Sequence, residues 1–352
     1  MKGLTGRDLL LFGVVGTAVV VAAACHYASA PVIATFAAAT IALAGLAWLV
    51  GFATEQVGER YGPAVTGAMQ STLGNLPEFF IVVFALRAGE TVVAQTSIIG
   101  SLFANALLVL GFVVVAGAWR SRQNLMQFNP RLPNDTATLL ILAIFVIVLI
   151  GTSVATNDNA SGHVTAISIA GAIVLLVTYL AWIVPYLRSD EPRDPTQRAP
   201  RVAFPVSVTL LAVGGVASAF VSDWFVSALG PAIDKLNLSR AFAGIVIVGI
   251  AGNAVENVAG IMLAWKGQAD LAISVVKNSV AQVAAFLFPA LVLVSLVLPH
   301  TLTFSLAPIY IAALLVAGLA IWQITGDGQA AMFEGVALVA LYVVLAVVTL
   351  YE

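Results

Sequence analysis

Apolar residues in this 352-residue chain gather in eleven long runs, at about 9–29, 31–52, 61–87, 91–117, 137–153, 164–187, 203–229, 239–265, 270–298, 303–323 and 332–350. A helix needs roughly 20 apolar residues to cross the hydrocarbon layer of a membrane. Inside that layer every backbone N–H and C=O must find its partner within the protein, which a helix does along its own length. Each run therefore predicts one transmembrane helix, and the chain reads as an all-α polytopic protein of eleven segments. The one long polar interruption is RSDEPRDPTQRAPR, Arg188 to Arg201. It is too rich in proline and charge to pack as a core, so it reads as a linker between two halves. The expected organisation is an N-terminal segment (1–30), a first half (31–187), a cytoplasmic linker (188–202) and a second half (203–352).

Composition agrees with the pattern. The chain is 61% hydrophobic and 9% charged, where a soluble domain carries roughly a quarter charged residues. The partner this implies is a lipid bilayer, and a net charge of -2 points away from nucleic acid. A single cysteine, Cys25, excludes an intrachain disulfide framework and a thiolate metal cluster. Ala28-Ser29-Ala30 resembles a leader cleavage site, but the first segment reads as a retained span. Counting connections alternately, one face collects Lys2, Arg7, Arg60, Arg120, Arg122, Arg131, Arg188, Arg193, Arg198, Arg201 and Lys266. The other has Arg87, Lys235 and Arg240. Positive loops stay inside, which predicts a cytoplasmic N-terminus and linker and, with an odd helix count, an external C-terminus. The location expected is the inner or plasma membrane of the cell.

Two short stretches break the apolar pattern in the same way. GNLPEFF, Gly74 to Phe80, has a partner in GNAVENV, Gly252 to Val258, and the offset between them is 178 residues. Twenty-three residues after each glutamate comes a serine in another apolar run: Ser101 in GSLFAN and Ser279 in NSVAQ. Segments 2–6 and 7–11 thus read as two copies of one five-helix unit. Five is odd, so the copies enter the membrane from opposite faces, an inverted repeat of the transporter kind whose polar segments meet near the midplane.

Asn75 and Glu78 share a helical face, as do Asn253 and Glu256. Glycine weakens the helix before each pair, and Pro77 lacks the N–H that would bond the carbonyl of Leu73. A charged carboxylate at mid-membrane costs at least about 2.5–3.5 kcal/mol. Two facing carboxylates can be neutralised by a divalent cation or by protons, and the two states exclude one another. A site of that kind is already the core of an exchanger. The ligands on offer are oxygens: Glu78 and Glu256, the amides of Asn75, Asn253, Asn105, Asn278 and Gln282, and the hydroxyls of Ser101 and Ser279. Hard oxygen sets suit Ca²⁺, Mn²⁺ or Na⁺, whereas zinc or copper would want His or Cys. His26, His163 and His300 all fall near segment ends and read as interfacial residues.

These motifs resemble those of the calcium/proton antiporters, a family of the cation/calcium exchanger superfamily, from segment 2 to segment 11. The resemblance rests on Ala53–Glu55, Gly62-Pro63, GNLPEF, Ala85–Gly89 and GSLFANALLVLG (Gly100 to Gly111) in the first half. In the second it rests on Ser222–Val226, GIVIVGIAGNAVENV (Gly244 to Val258), Asp270, Gln282 to Pro289 and Phe333–Gly335. It implies a sodium/calcium exchanger-like fold and alternating access, with protons entering as Ca²⁺ leaves the cell. Glu78 and Glu256 would be the central cation and proton carboxylates and the metal ligands, with Asn75, Asn253, Ser101, Asn105, Ser279 and Gln282 completing two layers. Glu55 and Asp223 sit where the family has acids beside the cation pathway; ordinary helix-end carboxylates would look the same. No cofactor is implied beyond Ca²⁺ and H⁺ as substrates, the protein is not an enzyme on this reading, and a homo-oligomer is left open.

Departures from the family pattern bear on the choice of ion. Asn257 stands where histidine usually follows the glutamate, Asn278-Ser279-Val280 replaces a Gly-Ser-Ser run, and Ala104 replaces a glycine. Lys277, seven residues after Asp270, is a cation inside a predicted span. It either substitutes for a bound cation or is snorkelling or paired away from the site, and its projection about 100° from Asn278 weakens the first reading. The alternative function with the same fold is Na⁺/Ca²⁺ or monovalent cation/H⁺ exchange. The linker has no long acidic run, and Asp327 in the Gly326–Gly328 turn is too little for a calcium loop.

Overall fold

The computed structural model describes residues 4–58, 69, 73–121, 124–129, 131–188 and 201–352; the side chains of residues 7, 58, 131–136, 186–188 and 254–257 lie outside the described set. The chain is nearly all helix: α1 (Gly6–Tyr27), α2 (Val32–Gly58), α3 (Leu76–Arg87), α4 (Thr91–Arg120), α5 (Arg131–Thr156), α6 (Val164–Arg188), α7 (Phe204–Leu236), α8 (Arg240–Gly252), α9 (Ala254–Trp265), α10 (Ala269–Ser295), α11 (Pro308–Thr325) and α12 (Met332–Leu350). Among the described residues nine helices are long and apolar enough to cross a membrane. The other two expected segments are the ones that carry GNxxE. The eighth is cut at Asn253 into α8 and α9. Of the third, residues 61–68 and 70–72, including Gly62-Pro63, lie outside the described residues, as do 189–200 of the linker.

Two segment boundaries move for physical reasons. The seventh continues through Pro231 to Leu236 and stops where Asn237 turns left-handed at φ 51°, a usual helix stop. The tenth, expected from 303, begins only at Pro308. Before it, Leu302, Phe304 and Leu306 are buried while the residues between them are more exposed. That is a period of two, so an apolar run that looks helical by content is extended by geometry. Side chains pin it: the Gln95 amide donates to the carbonyls of Thr303 (3.4 Å) and Ser305 (3.2 Å), and Ser168 accepts from the Phe304 N–H at 3.2 Å.

The helices form two compact units, Met1–Glu90 with Leu180–Leu238, and Thr91–Tyr179 with Ser239–Glu352. Each unit draws on both sides of the linker. In the first, α2 and α7 lie against each other along their length, with Phe36 stacked on Phe225 at 5.1 Å. Arg201 fastens the incoming chain there: its backbone N–H donates to the Gln56 amide oxygen at 2.7 Å, and its guanidinium pairs with Asp8 at 3.6 Å.

In the second unit, α4 and α10 are the enclosed spans, 83% and 72% buried over their apolar windows, against 28–39% for α5, α6, α11 and α12. Small residues let the helices approach. A Cβ added to Gly100 would lie 2.5 Å from the Ile245 Cα, and one added to Gly111 would lie 2.7 Å from the Gly335 carbonyl oxygen. A two-stranded antiparallel sheet, β1 (Leu125–Gln127) with β2 (Gln329–Ala331), pairs Met126 with Ala330. Three π-helical turns, Ala104–Val109, Ala243–Val248 and Val283–Leu287, interrupt α4, α8 and α10.

Candidate functional site

Both GNxxE segments break at the asparagine. Asn75 has φ -86° and ψ 9°, and Asn253 has φ -107° and ψ 13°. This is the bridge region, sparsely allowed and common at functional sites. The break does not depend on Pro77, because the second copy has Val255 at that place and turns alike. After each asparagine the helix restarts, as α3 and as α9.

In the first unit Asn75 and Glu78 are both buried, Glu78 at 1% exposure. Pro77, at the start of α3, offers its carbonyl to the Ser222 hydroxyl of α7 at 3.4 Å. Glu55 on α2 and Asp223 on α7 are exposed. Neither position has the burial that makes Glu78 costly.

The second unit assembles most of the expected ligands. The Asn253 amide nitrogen donates to the Ser101 hydroxyl at 2.8 Å and to the Gly249 carbonyl at 2.9 Å. The latter bond lies within the broken helix, so Asn253 satisfies with its own side chain a carbonyl four residues back. The Asn105 nitrogen donates to the Asn253 oxygen at 3.1 Å and to the Ser279 hydroxyl at 3.2 Å. Four residues from three spans, α4, the α8–α9 break and α10, thus form one buried net. Gln282, one turn beyond Ser279, donates its amide N–H to the Tyr179 hydroxyl at 3.0 Å.

Among the described residues, the amide oxygens of Asn105 and Gln282 receive no hydrogen bond, although both side chains are buried. A buried acceptor without a donor costs roughly 1–3 kcal/mol. In both side chains the nitrogen is held by the protein and the oxygen is left over, which is the arrangement a cation requires. No group of three His, Cys, Asp or Glu gathers among the described residues, and the net's described oxygens are those of amides and hydroxyls.

Other expected residues lie apart from this net. The Asn278 amide turns back along α10 to the Ser274 hydroxyl at 3.4 Å. Lys277 is buried, and its ammonium donates to the Thr325 hydroxyl of α11 at 2.5 Å; Thr325 in turn donates to the Ile321 carbonyl. Lys277 lines a void of about 10 Å³ with Leu110, Leu140 and Ile321 among its neighbours. On the helix it stands about 200° from Ser279. The backbone of Glu256 and Asn257 is in α9, but their side chains are outside the described set.

Two features were not foreseen from the sequence. Tyr179 is one; a tyrosine in the middle of an apolar run is the signal that could have found it, since a buried phenol needs a partner. The π turns are the other. That of α4 contains Asn105, that of α10 starts directly after Gln282, and the 178-residue offset carries Asn105 onto Val283. Such turns widen a helix and are frequent at functional sites; no residue type marks them.

Known proteins resemble the chain over almost its whole length. A Ca(2+)/H(+) antiporter of a Synechocystis species is 32% identical over 336 residues, covering 88% of this chain and 89% of the relative. A vacuolar calcium ion transporter of Schizosaccharomyces pombe is 30% identical, covering 88% of this chain and 77% of its own. The structure of native YfkE superimposes with a TM-score of 0.83 at 28% identity, over 97% of this chain and 100% of that one. The family described as sodium/calcium exchanger protein matches residues 31–186 and again 206–351, so that each match holds one of the two asparagine breaks. By that double match, the chain belongs to the sodium/calcium exchanger protein family.

Proposed function

We propose that this protein is a secondary active Ca²⁺/H⁺ antiporter that exports cytosolic Ca²⁺ in exchange for protons by alternating access. The observation that carries the reading is the polar net of α4, the α8–α9 break and α10 together with Gln282 of α10: the amide nitrogens of Asn105, Asn253 and Gln282 are engaged, while the buried amide oxygens of Asn105 and Gln282 face no donor among the described residues. Relatives of near 30% identity that bear the names of calcium transporters and Ca²⁺/H⁺ antiporters support it.

In this reading Glu78 and Glu256 are the carboxylates that take either Ca²⁺ or protons. Asn75, Asn253, Ser101, Asn105, Ser279 and Gln282 supply neutral oxygens or hold those that do, and Asn278 stands at the edge. A divalent ion cancels two carboxylate charges and two protons do the same, so the apolar surroundings penalise the empty, doubly charged state. That penalty couples the two flows: neither half of the cycle returns without cargo. The matching breaks at Asn75 and Asn253, and the matching π turns of α4 and α10, support two inverted halves, 31–187 and 203–352, after an N-terminal helix. The chain sits in the inner or plasma membrane with a cytoplasmic N-terminus and linker, and Lys277 is a structural residue whose side-chain nitrogen is held by Thr325.

Everted membrane vesicles test the proposal. An inside-acid pH gradient should drive ⁴⁵Ca²⁺ accumulation, and Glu78→Gln or Glu256→Gln should abolish it. Uptake equal to the parent's in both variants would remove the assigned carboxylates. Uptake driven by a Na⁺ gradient and indifferent to pH would replace the proton by Na⁺.

A further inference from the structure

Tyr179 sits in α6, is 3% exposed, and accepts the Gln282 amide N–H at 3.0 Å. Its ring packs on Phe286 at 5.3 Å with the planes 35° apart. Phe286 belongs to the π turn Val283–Leu287 that follows Gln282 directly. The same tyrosine therefore meets α10 twice, by its hydroxyl at the amide and by its ring one turn later.

A glutamine amide has two faces of nearly equal shape and opposite electrostatics. Its oxygen accepts and attracts cations; its NH₂ only donates and repels them. Rotation by 180° about the last side-chain bond exchanges the two, and a cation site built on this amide fails if the wrong end turns inward. Within the described residues, Tyr179 is the partner of the Gln282 nitrogen, and the Gln282 oxygen receives no hydrogen bond.

We infer that Tyr179 is a positioning residue for cation binding: its hydroxyl holds the Gln282 amide nitrogen, so that the amide presents oxygen to the transported cation. The inference rests on the antiport reading and deepens it, by naming what sets the polarity of one ligand. Tyr179 touches no cation itself. Its contribution is orientational, and the ring contact with Phe286 keeps the hydroxyl where the amide can reach it. Asn105 has its nitrogen held by the acceptor-only oxygen of Asn253; for Gln282 the corresponding partner is the Tyr179 hydroxyl, which holds the nitrogen end when its own hydrogen is directed away from the amide.

The test is a double-mutant cycle on proton-driven ⁴⁵Ca²⁺ uptake into everted vesicles, with Tyr179→Phe, Gln282→Ala and the double variant, each corrected for the amount of transporter in the membrane. Tyr179→Phe keeps the ring and removes the hydroxyl. It should raise the KM for Ca²⁺ about 3- to 10-fold while Vmax stays within about twofold, the range expected when one buried hydrogen bond worth roughly 0.6–1.5 kcal/mol is lost. Added to Gln282→Ala, the same change should leave KM where Gln282→Ala alone puts it, because no amide remains to be turned.

Thermal melting of the purified variants, without and with Ca²⁺, separates folding from binding. The Ca²⁺-free melting temperature of Tyr179→Phe should stay near the parent's, while the Ca²⁺ concentration that gives half the stabilisation rises with KM. An unchanged KM, a fall in Vmax alone, or the same KM factor in the Gln282→Ala background would each overturn the inference and leave the antiport reading standing. A parent protein that accumulates no Ca²⁺ under a pH gradient would overturn both.

Discussion

Replacing Gly100 by alanine tests whether close helix packing holds the polar net in shape. A Cβ at position 100 would lie 2.5 Å from the Ile245 Cα, 2.7 Å from the Ile245 oxygen and 2.9 Å from the Gly244 oxygen. Non-bonded carbons settle at about 3.5–4.0 Å, and the obstructing atoms are backbone, which no rotamer change removes. Relief requires α4 and α8 to separate by roughly 1 Å. Overpacking of this kind costs about 1–3 kcal/mol, and the gain in helix propensity from glycine to alanine returns at most about 1 kcal/mol. The consequence for transport is larger than that for stability. Ser101 is the next residue, and its hydroxyl receives the Asn253 amide at 2.8 Å. A shift of 1 Å carries that bond beyond hydrogen-bonding distance.

Gly100→Ala should therefore lower the apparent melting temperature in detergent by several degrees, at about 2–4 °C per kcal/mol for a large domain. It should also reduce proton-driven ⁴⁵Ca²⁺ uptake by tenfold or more. Gly13→Ala on α1 is the control: nothing lies within 4 Å of the Cβ it would add, so it should melt at or slightly above the parent's temperature. If Gly100→Ala melts and transports like the parent, or Gly13→Ala is equally damaging, the packing argument is refuted.

Two further predictions concern the loops. Phe304 is fully buried, with its ring 4.6 Å from that of Phe288, and Phe304→Ala should destabilise the protein by about 3–5 kcal/mol, read as a drop in melting temperature; Thr301→Ala, at an exposed place in the same segment, should have no measurable effect. Asp158, between α5 and α6, is held below the ordinary carboxylate range by the Ser153 hydroxyl and by the N–H groups of Ala160 and Ser161. Its folded pKa is depressed, so the stability it contributes is present above the unfolded value of about 3.9 and is lost as pH falls through the lower folded value. A melting series from pH 6 to pH 3 should show a steeper loss in the parent than in Asp158→Asn, and parallel curves would sink this assignment.

Much of the architecture is legible in the residues because its causes are local. The length of an apolar run decides whether a helix can cross a membrane, and the 178-residue echo of GNxxE marks the two breaks. The likeness of Asn75 and Asn253 in backbone angle shows that asparagine and its glycine neighbour, rather than the proline, mark the turn. Where the sequence reading went astray, content and geometry parted. Leu302, Phe304 and Leu306 have helical content, yet the hydroxyl of Ser168 and the amide of Gln95, both distant in sequence, pin that segment in an extended form.

Sequence alone determined a membrane-embedded helical protein with a duplicated polar motif, because hydrophobic length and side-chain type act where they stand. Only the tertiary structure decided which end of each amide is engaged, that Tyr179 is the partner of Gln282, and that the Lys277 ammonium goes to Thr325. It also decided that α4 and α8 touch at Gly100. Those outcomes rest on contacts between residues as far as 174 positions apart. The energy that selects them is shared between both partners, and neither stretch of sequence carries it by itself.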